Sequence, residues 1–473
     1  MTRRGILAYG AYVPFHRLDR SEIAAVAGKG GGKGTRTVAS YDEDTTTMAF
    51  AAARYLLGTL GPGYEAEQRP TGLSLWFATT TPAYADKTNA TAVHAALELD
   101  PAVPAFDVNG SVRSAAGALR AGLGSGRHAL LVAADLRSGL PGSAEEAGGG
   151  DAAAALLVGD PTEATPVIAA LLGEGSATAE FLDRWRAPGE AHAKVWEERF
   201  GERRYLDLGQ RAWDDALKNA NLTPDQVDHV VVAGPHARAV KSFQRSIGPV
   251  LGPDQRRNEV DLDATVGFTG AAHPYLALAA TLDEAEPDQV VALVVLADGA
   301  DVTLFRTTEA LVDRRMSRSV AAQVASGGSV SYGRYLAWRG LLPIDPPRRP
   351  EPARPSASAA GRSTSWKFAF VGSESDDGTV HLPPSPLDDQ TRRMADRQGT
   401  IVTFTIDRLA YSPSPPVVFA VVDFDGGGRL PVELTDVDPA DVHIGDRVGM
   451  TFRKLFTADG IHNYFWKARK AGD

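Results

Sequence analysis

The stretch LLPIDPPRRPEPARPSASAAGRS, residues 341–363, most limits what this chain can fold into. Each proline locks φ and removes a backbone donor, and no helix or strand period runs through the segment. It reads as a linker or an extended surface crossover, and it separates two textures. Residues 1–339 alternate β-rich apolar runs with Ala-rich helical stretches, the pattern of an α/β domain. Residues 399–473 read as short strands joined by Gly, Pro and Asp turns, as in a small all-β barrel or sandwich. The expected division is therefore 1–339, 340–398 and 399–473. Length agrees, because 473 residues exceed the roughly 250–300 that one hydrophobic core can serve.

Within the larger part, strands are expected over 5–12, 73–79, 128–134, 152–158, 229–233 and 290–296. Helices are expected over 45–57, 89–97, 114–123, 202–219 and 271–282. An internal duplication is visible. DVNGSVRSAAGALRAGL begins at Asp107, and DATVGFTGAAHPYLALAATL begins at Asp263. Each holds an Asp, a small-residue loop and an Ala/Leu helix, and each precedes an apolar strand. Two such units predict a pseudo-twofold α/β domain.

Composition removes whole classes of chemistry. With no cysteine there is no disulfide, thiolate nucleophile or Cys-ligated metal. A net charge of −10 argues against a general nucleic-acid or membrane-surface role. No run of about 18 apolar residues is present, and MTRRGILAYGAYVPFHR reads as a first strand, so a cytoplasmic location is expected.

Several motifs together carry a family likeness. GILAYGAYVPFHRLDRSEI and KGTRTVASYDEDTTTMAFAAARYLL resemble the opening of HMG-CoA synthases and β-ketoacyl-carrier-protein synthase III enzymes. FDVNGSVRSAAGAL resembles their nucleophile loop and helix, AGPHARAVKSF their catalytic-histidine segment, and VGFTGAAH the segment that closes the site. GTIVTFTIDRLAYSPSPPVVFAVVDFDGGGRLPVELTD and VHIGDRVGMTFRKLFTADGIHNYFW resemble the OB-fold domain that accompanies archaeal HMG-CoA synthase assemblies and steroid side-chain aldolases. The resemblance implies a pseudo-duplicated αβαβα thiolase-like fold plus a small all-β OB-fold domain. In that OB family an upstream zinc ribbon carries Cys pairs. Here Ser375 and Asp377 stand near the first pair, and Asp388 and Asp389 near the second, so no zinc is expected.

The same resemblance places Val112 where the family has its nucleophilic cysteine, and Thr80 or Thr81 where HMG-CoA synthase has its glutamate. Ser111 and Ser114 flank the nucleophile position. Either serves as a nucleophile if a base activates it, or as a helix cap. His236, after Gly234-Pro235 and an apolar strand, matches the catalytic histidine. His273 either donates to a carbonyl oxygen or caps a helix. Asp298 and Asp301 line the pocket or form a turn, and Tyr84, Tyr332 and Tyr335 are phenolic acids or packing residues. Lys29, Lys33 and Arg36, in the Gly-rich loop AGKGGGKGTRT, are candidates for the phosphates of coenzyme A.

The implied activity is that of an enzyme acting on acyl-CoA or acyl-carrier-protein thioesters. It makes or breaks a C–C bond, or transfers an acyl group, by a His-dependent route without a cysteine. No cofactor is covalently bound, the CoA thioester is the substrate, and a homodimer is expected. The alternative is a catalytically silent thiolase-like subunit that binds acyl-CoA or scaffolds a larger synthase.

Overall fold

The computed structural model describes residues 4–60, 72–250 and 261–471. Its larger unit is built on one mixed sheet. The strands are β1 (Gly5–Tyr12), β2 (Ser74–Thr79), β3 (Ala105–Asn109), β4 (Ala129–Asp135), β5 (Ala152–Gly159), β6 (Ala169–Ala177), β7 (His229–Ala233), β8 (Val290–Leu296) and β9 (Ala300–Thr307). Among the described residues they lie in the order β7-β8-β9-β6-β1-β5-β4-β2-β3. The helices that matter for the site are α1 (Thr45–Gly58), α2 (Arg113–Gly124), α3 (Glu198–Ala220), α4 (Ala237–Ile247) and α5 (His273–Glu284).

The duplication is structural. β2 runs parallel to β4, which pairs antiparallel with β5. In the second half, β7 runs parallel to β8, which pairs antiparallel with β9. The two matched sequence segments end on α2 and α5, each just before the strand it feeds. α2 buries Ala115, Ala118, Leu119 and Gly122, the i, i+3, i+4 and i+7 positions of one face. α5 is buried from His273 through Leu282, because it is covered on every side. The sheet centre is apolar on both faces: every residue of β1, β4, β5 and β8 is buried.

The C-terminal sheet contains β10 (Gln398–Asp407), β11 (Val417–Phe424), β12 (Arg429–Glu433), β13 (Arg447–Ala458) and β14 (Ile461–Lys470), in the order β12-β11-β10-β13-β14. A parallel bridge between Leu434 and Ala468 brings the ends together, so the sheet closes as a small barrel. Alternation along β11, with Val418, Ala420, Val422 and Phe424 buried, is the period-2 pattern of a barrel strand.

The proline-rich stretch does not lead to a detached domain. After the short helix Ala357–Arg362, the chain makes a π-helical turn, Ser365–Ala369, directly into an aromatic cluster. Phe370 stacks on Trp466 at 5.7 Å, while Phe50 of α1 sits 5.4 Å from both Phe452 and Trp466. One core therefore runs from α1 into the barrel. Next comes a small sheet of Val371–Glu374, Val380–His381 and Gln390–Arg393. Hydrogen bonds hold this segment, where the resemblance implied the place of a zinc ribbon. Ser373 Oγ donates to Asp388 at 2.6 Å, His381 Nδ1 lies 2.7 Å from the same carboxylate, and Ser375 Oγ donates to Asp377 at 2.8 Å.

Buried charge joins the two units. Arg453 of β13 contacts Asp42 at 3.2 Å, Glu43 at 3.0 Å and Asp436 at 2.5 Å. Lys467 of β14 contacts Asp42 at 3.0 Å and Glu433 at 2.6 Å. Burial alone would push the Asp42 carboxyl up, but Lys467 and Arg453 outweigh it and hold it well below the usual range. Glu43 goes the other way. Burial, reinforced by Asp436 and Asp42 and opposed by Arg453, pushes it up to about 7. A carboxyl raised in the folded state stabilises fully below its unfolded value, and that contribution is lost as pH rises through about 7. Between about pH 5 and about pH 8, Glu43→Gln should therefore lose less stability to urea than the parent chain. Equal losses in the two proteins would contradict the assignment.

Candidate functional site

A cavity of about 1110 Å³ opens where β7, α4 and α5 meet the loops after β4 and β6. Its size suits a substantial ligand, since small-molecule sites commonly span about 300–1,000 Å³. Its polar lining includes His236, His273, Arg137, Glu145, Asp183 and Arg184. Cation-bearing Arg238, Lys241 and Arg245 of α4 also face it, at i, i+3 and i+7 of one helix.

His273 is buried at the first turn of α5, after the tight segment Gly270–Ala272. Gly270 has φ +58°, and a Cβ there would meet Asp135 Oδ2 at 2.0 Å. Only glycine lets this loop close on that carboxylate. Asp135, at the end of β4, accepts from the Thr79, Thr80 and Thr81 hydroxyls, the Thr80 and Thr81 amides and the Ala271 amide, all at 2.6–3.1 Å. One buried carboxylate thus locks the threonine loop of the first half to the α5 entry of the second. The Thr80 and Thr81 hydroxyls, expected from the resemblance to stand at a glutamate position, serve Asp135.

Thr269 lies 3.4 Å from His273 Nδ1 through both its amide and its hydroxyl. An amide pointing at Nδ1 leaves the ring proton on Nε2, which has no hydrogen-bond partner among the described residues. Burial, only partly opposed by Asp263, pushes the imidazole down to about 4. At neutral pH it is therefore a neutral N–H donor.

His236 is placed on the cavity wall, as the resemblance implies, but not as a free base. It is the N-cap of α4. Its Nδ1 accepts from the Ala239 amide at 3.1 Å, and its Nε2 lies 2.9 Å from the Glu198 carbonyl oxygen. With Nδ1 accepting, Nε2 carries the proton and donates to that carbonyl, so both ring nitrogens are committed. Asp183 nearby is the more available basic group. Burial pushes its carboxyl up, against the pull of His236.

Ser111 and Ser114 do not line the cavity, and their hydroxyls act as caps. Ser111 Oγ accepts from the Arg113 amide at 3.2 Å, and Ser114 Oγ donates to the Asn109 carbonyl at 3.4 Å. Val112, at the start of α2, is buried among apolar side chains. Arg113 reaches across to the second half, pairing with Asp301 at 2.8 Å and donating to the Asp298 carbonyl at 2.8 Å. Asp298 itself takes a left-handed turn conformation at φ +47°. These two aspartates are a turn and an ion pair. The three phenols are structural too. Tyr332 donates to Glu146, Tyr335 accepts from Arg36, and Tyr84 accepts from the His462 amide.

The Gly-rich loop corrects one expectation. Arg36 is fully buried, donating to the Glu146 and Arg137 carbonyls and pairing with Asp151 at 3.6 Å. It sits on a strand, Thr35–Val38, whose inward residues brace the core, so it cannot meet an incoming phosphate. Lys29 and Lys33 are exposed but do not line the cavity. The cations at the cavity are those of α4, together with Arg137 and Arg184, which share Glu145. The DLR run after β4 and the spacing ARAVKSFQR were the sequence signals for them. Among the described residues no cluster of metal-ligating side chains and no helix long and apolar enough to cross a membrane is present.

Residues 392–453 match the family described as "ChsH2, C-terminal OB-fold domain". Hydroxymethylglutaryl-CoA synthase of Methanopyrus kandleri is 28% identical over 355 residues, 72% of this chain and 98% of that protein. The structure of MvaS in complex with 3-hydroxy-3-methylglutaryl coenzyme A aligns with a TM-score of 0.58 at 22% identity, covering 75% of this chain and 95% of that one. The curacin biosynthetic pathway HMG synthase in complex with holo donor-ACP aligns with a TM-score of 0.59 at 18% identity, covering 72% and 88%. A duplicated sheet with α2 and α5 entering its centre, followed by a closed five-stranded barrel, gives this chain a larger unit with the thiolase-like fold of those structures, similar in sequence to HMG-CoA synthases, joined to a C-terminal OB-fold domain.

Proposed function

We propose that the chain acts on acyl thioesters, presented by coenzyme A or a carrier protein, and makes or breaks a C–C bond next to the thioester carbonyl without forming an acyl-enzyme. The observation that carries this is the pairing, on one cavity, of a neutral His273 Nε2–H and the buried Asp183 carboxylate. A neutral donor suits a developing enolate or alkoxide oxygen, and a carboxylate raised by burial suits proton abstraction. His236 orients α4, whose cations face the same cavity. Similarity to HMG-CoA synthases and to a synthase held with donor-ACP supports thioester substrates. Val112 at the start of α2 supports a non-covalent route, since it supplies no nucleophile.

Intact-protein mass after incubation with acetyl-CoA tests the covalent question. The expected result is an unchanged mass. An acyl adduct that maps to Ser111 or Ser114 and disappears on substitution to alanine would overturn the non-covalent route. Asp183→Asn should slow turnover by about 10²–10⁴-fold, the usual contribution of a positioned base.

A second reading, a catalytically silent acyl-CoA-binding or scaffold subunit, is favoured by one observation: both ring nitrogens of His236 are already engaged. Under that reading acyl-CoA still binds, but nothing happens at its α-carbon. The division into a 1–339 domain, a 340–398 connector and a 399–473 OB-fold domain, and pairing as a homodimer, belong to the same proposal. Phe106, 47% exposed on edge strand β3, supports the pairing. Light scattering that returns the mass of one chain at micromolar concentration would contradict it.

A further inference from the structure

A second cavity, about 430 Å³, lies between the thiolase-fold unit and the barrel, away from the site above. Its walls come from both units: His16, Tyr41, Arg334 and Trp338 on one side, Arg408 and Asp436 on the other. Three of these residues carry a buried polar atom with no hydrogen-bond partner: His16 Nδ1, Trp338 Nε1 and Asp436 Oδ1, the last of them 4.0 Å from His16 Nε2, beyond hydrogen-bond reach. Buried polar groups in folded proteins are nearly always satisfied, so three orphans around one cavity are unusual. Arg334 and Arg408 are both exposed, and among the described residues neither has an ion-pair partner. Tyr41 and Trp338 form an aromatic wall, their rings 6.0 Å apart.

We propose that this cavity binds a small hydroxylated aromatic carboxylate. The chemistry follows from the walls. Two unpaired guanidiniums on the solvent side match a carboxylate, which arginine holds with charge-assisted hydrogen bonds. The indole and phenol rings match a flat apolar body. Asp436 Oδ1 only accepts, so the buried end of the ligand must donate, and a hydroxyl does so. The same hydroxyl accepts from Trp338 Nε1–H or pairs with His16 Nδ1. A plain anion would satisfy the arginines and leave the orphans unmet. A plain aromatic would leave the arginines unmatched. Because the walls belong to both units, occupancy would also hold the barrel against the larger unit, as any ligand specific to the folded state does.

The test uses the full chain and calorimetric titration with 4-hydroxyphenylacetate and with phenylacetate, which lacks only the hydroxyl. The hydroxylated probe should bind at one site per chain and at least about 10-fold more tightly than phenylacetate, as sites built to pair a hydroxyl discriminate against its loss. Arg408→Ala and Arg334→Ala change exposed side chains and should each weaken the hydroxylated probe by about 10-fold or more. Trp338→Phe keeps the aromatic wall but removes the indole N–H, and should narrow the gap between the two probes. Absence of saturable binding by 4-hydroxyphenylacetate, equal affinity for both probes, or binding unaffected by all three substitutions would each overturn the proposal. Because Asp436 also pairs with Arg453, the three substitutions leave it in place and the fold intact.

Discussion

Replacing Arg453 with methionine should destabilise the protein by about 3–5 kcal/mol, the range measured when one partner of a buried ion pair is removed. Arg453 is 1% exposed and is shared by Asp42, Glu43 and Asp436, with the Tyr12 hydroxyl at 3.1 Å. Methionine fills similar volume, so the loss comes from uncompensated negative charge rather than from a cavity. Asp42 retains Lys467, but Asp436 and Glu43 lose the cation they share. The variant should unfold at lower urea, and limited proteolysis should cut first in residues 341–363, where the barrel separates. Adding Glu43→Gln should recover part of the loss, because one buried carboxylate is then gone. A change below about 1 kcal/mol would mean that water reaches this cluster and screens it, as at surface ion pairs.

The largest catalytic effect should come from His273. With acetyl-CoA in heavy water, the parent protein should exchange α-protons for deuterium, and His273→Ala should slow this by about 10²–10³-fold. That is the usual loss when one oxyanion donor is removed. Folding and acyl-CoA binding should persist, because the ring's only hydrogen-bond contacts among the described residues are 3.4 Å ones with Thr269, and the smaller alanine leaves Phe268 in place. The pH profile separates a neutral donor from a titrating base. Burial pushes the imidazole down to about 4, so its protonation should not lower the rate between about pH 5 and about pH 7. A rate that falls with an apparent pKa near 6.5 would mark an ordinary, solvated histidine. No exchange by the parent protein, together with intact acyl-CoA binding, would establish the silent-scaffold reading.

Much of the fold was legible because it depends on local pattern. Helices expected over 114–123 and 271–282 appear as Arg113–Gly124 and His273–Glu284, since Ala/Leu periodicity is a property of the segment itself. The strands were readable for the same reason, and so was the duplication. The His236 segment lines the cavity because residues that follow an apolar strand in an α/β sheet lie at the sheet's carboxyl edge, where clefts form.

What the sequence by itself determined was the kind of element, the two textures, and the chemistry that a chain without cysteine lacks. What only the tertiary structure decided was which side chains are free to act. Both ring nitrogens of His236 are taken, by the Ala239 amide and by the Glu198 carbonyl, 38 residues away in sequence. Arg36 belongs to a sequence stretch that reads as a phosphate cradle, yet it lies on a strand, and Glu146, Arg137 and Asp151 hold it in the core. The charges in YDED and FRKLF look like ordinary surface residues until Asp42, Glu43 and Arg453 meet across the two units. Periodicity is written into neighbouring residues, whereas burial, proton position and charge pairing depend on partners that only the folded chain brings within about 3 Å.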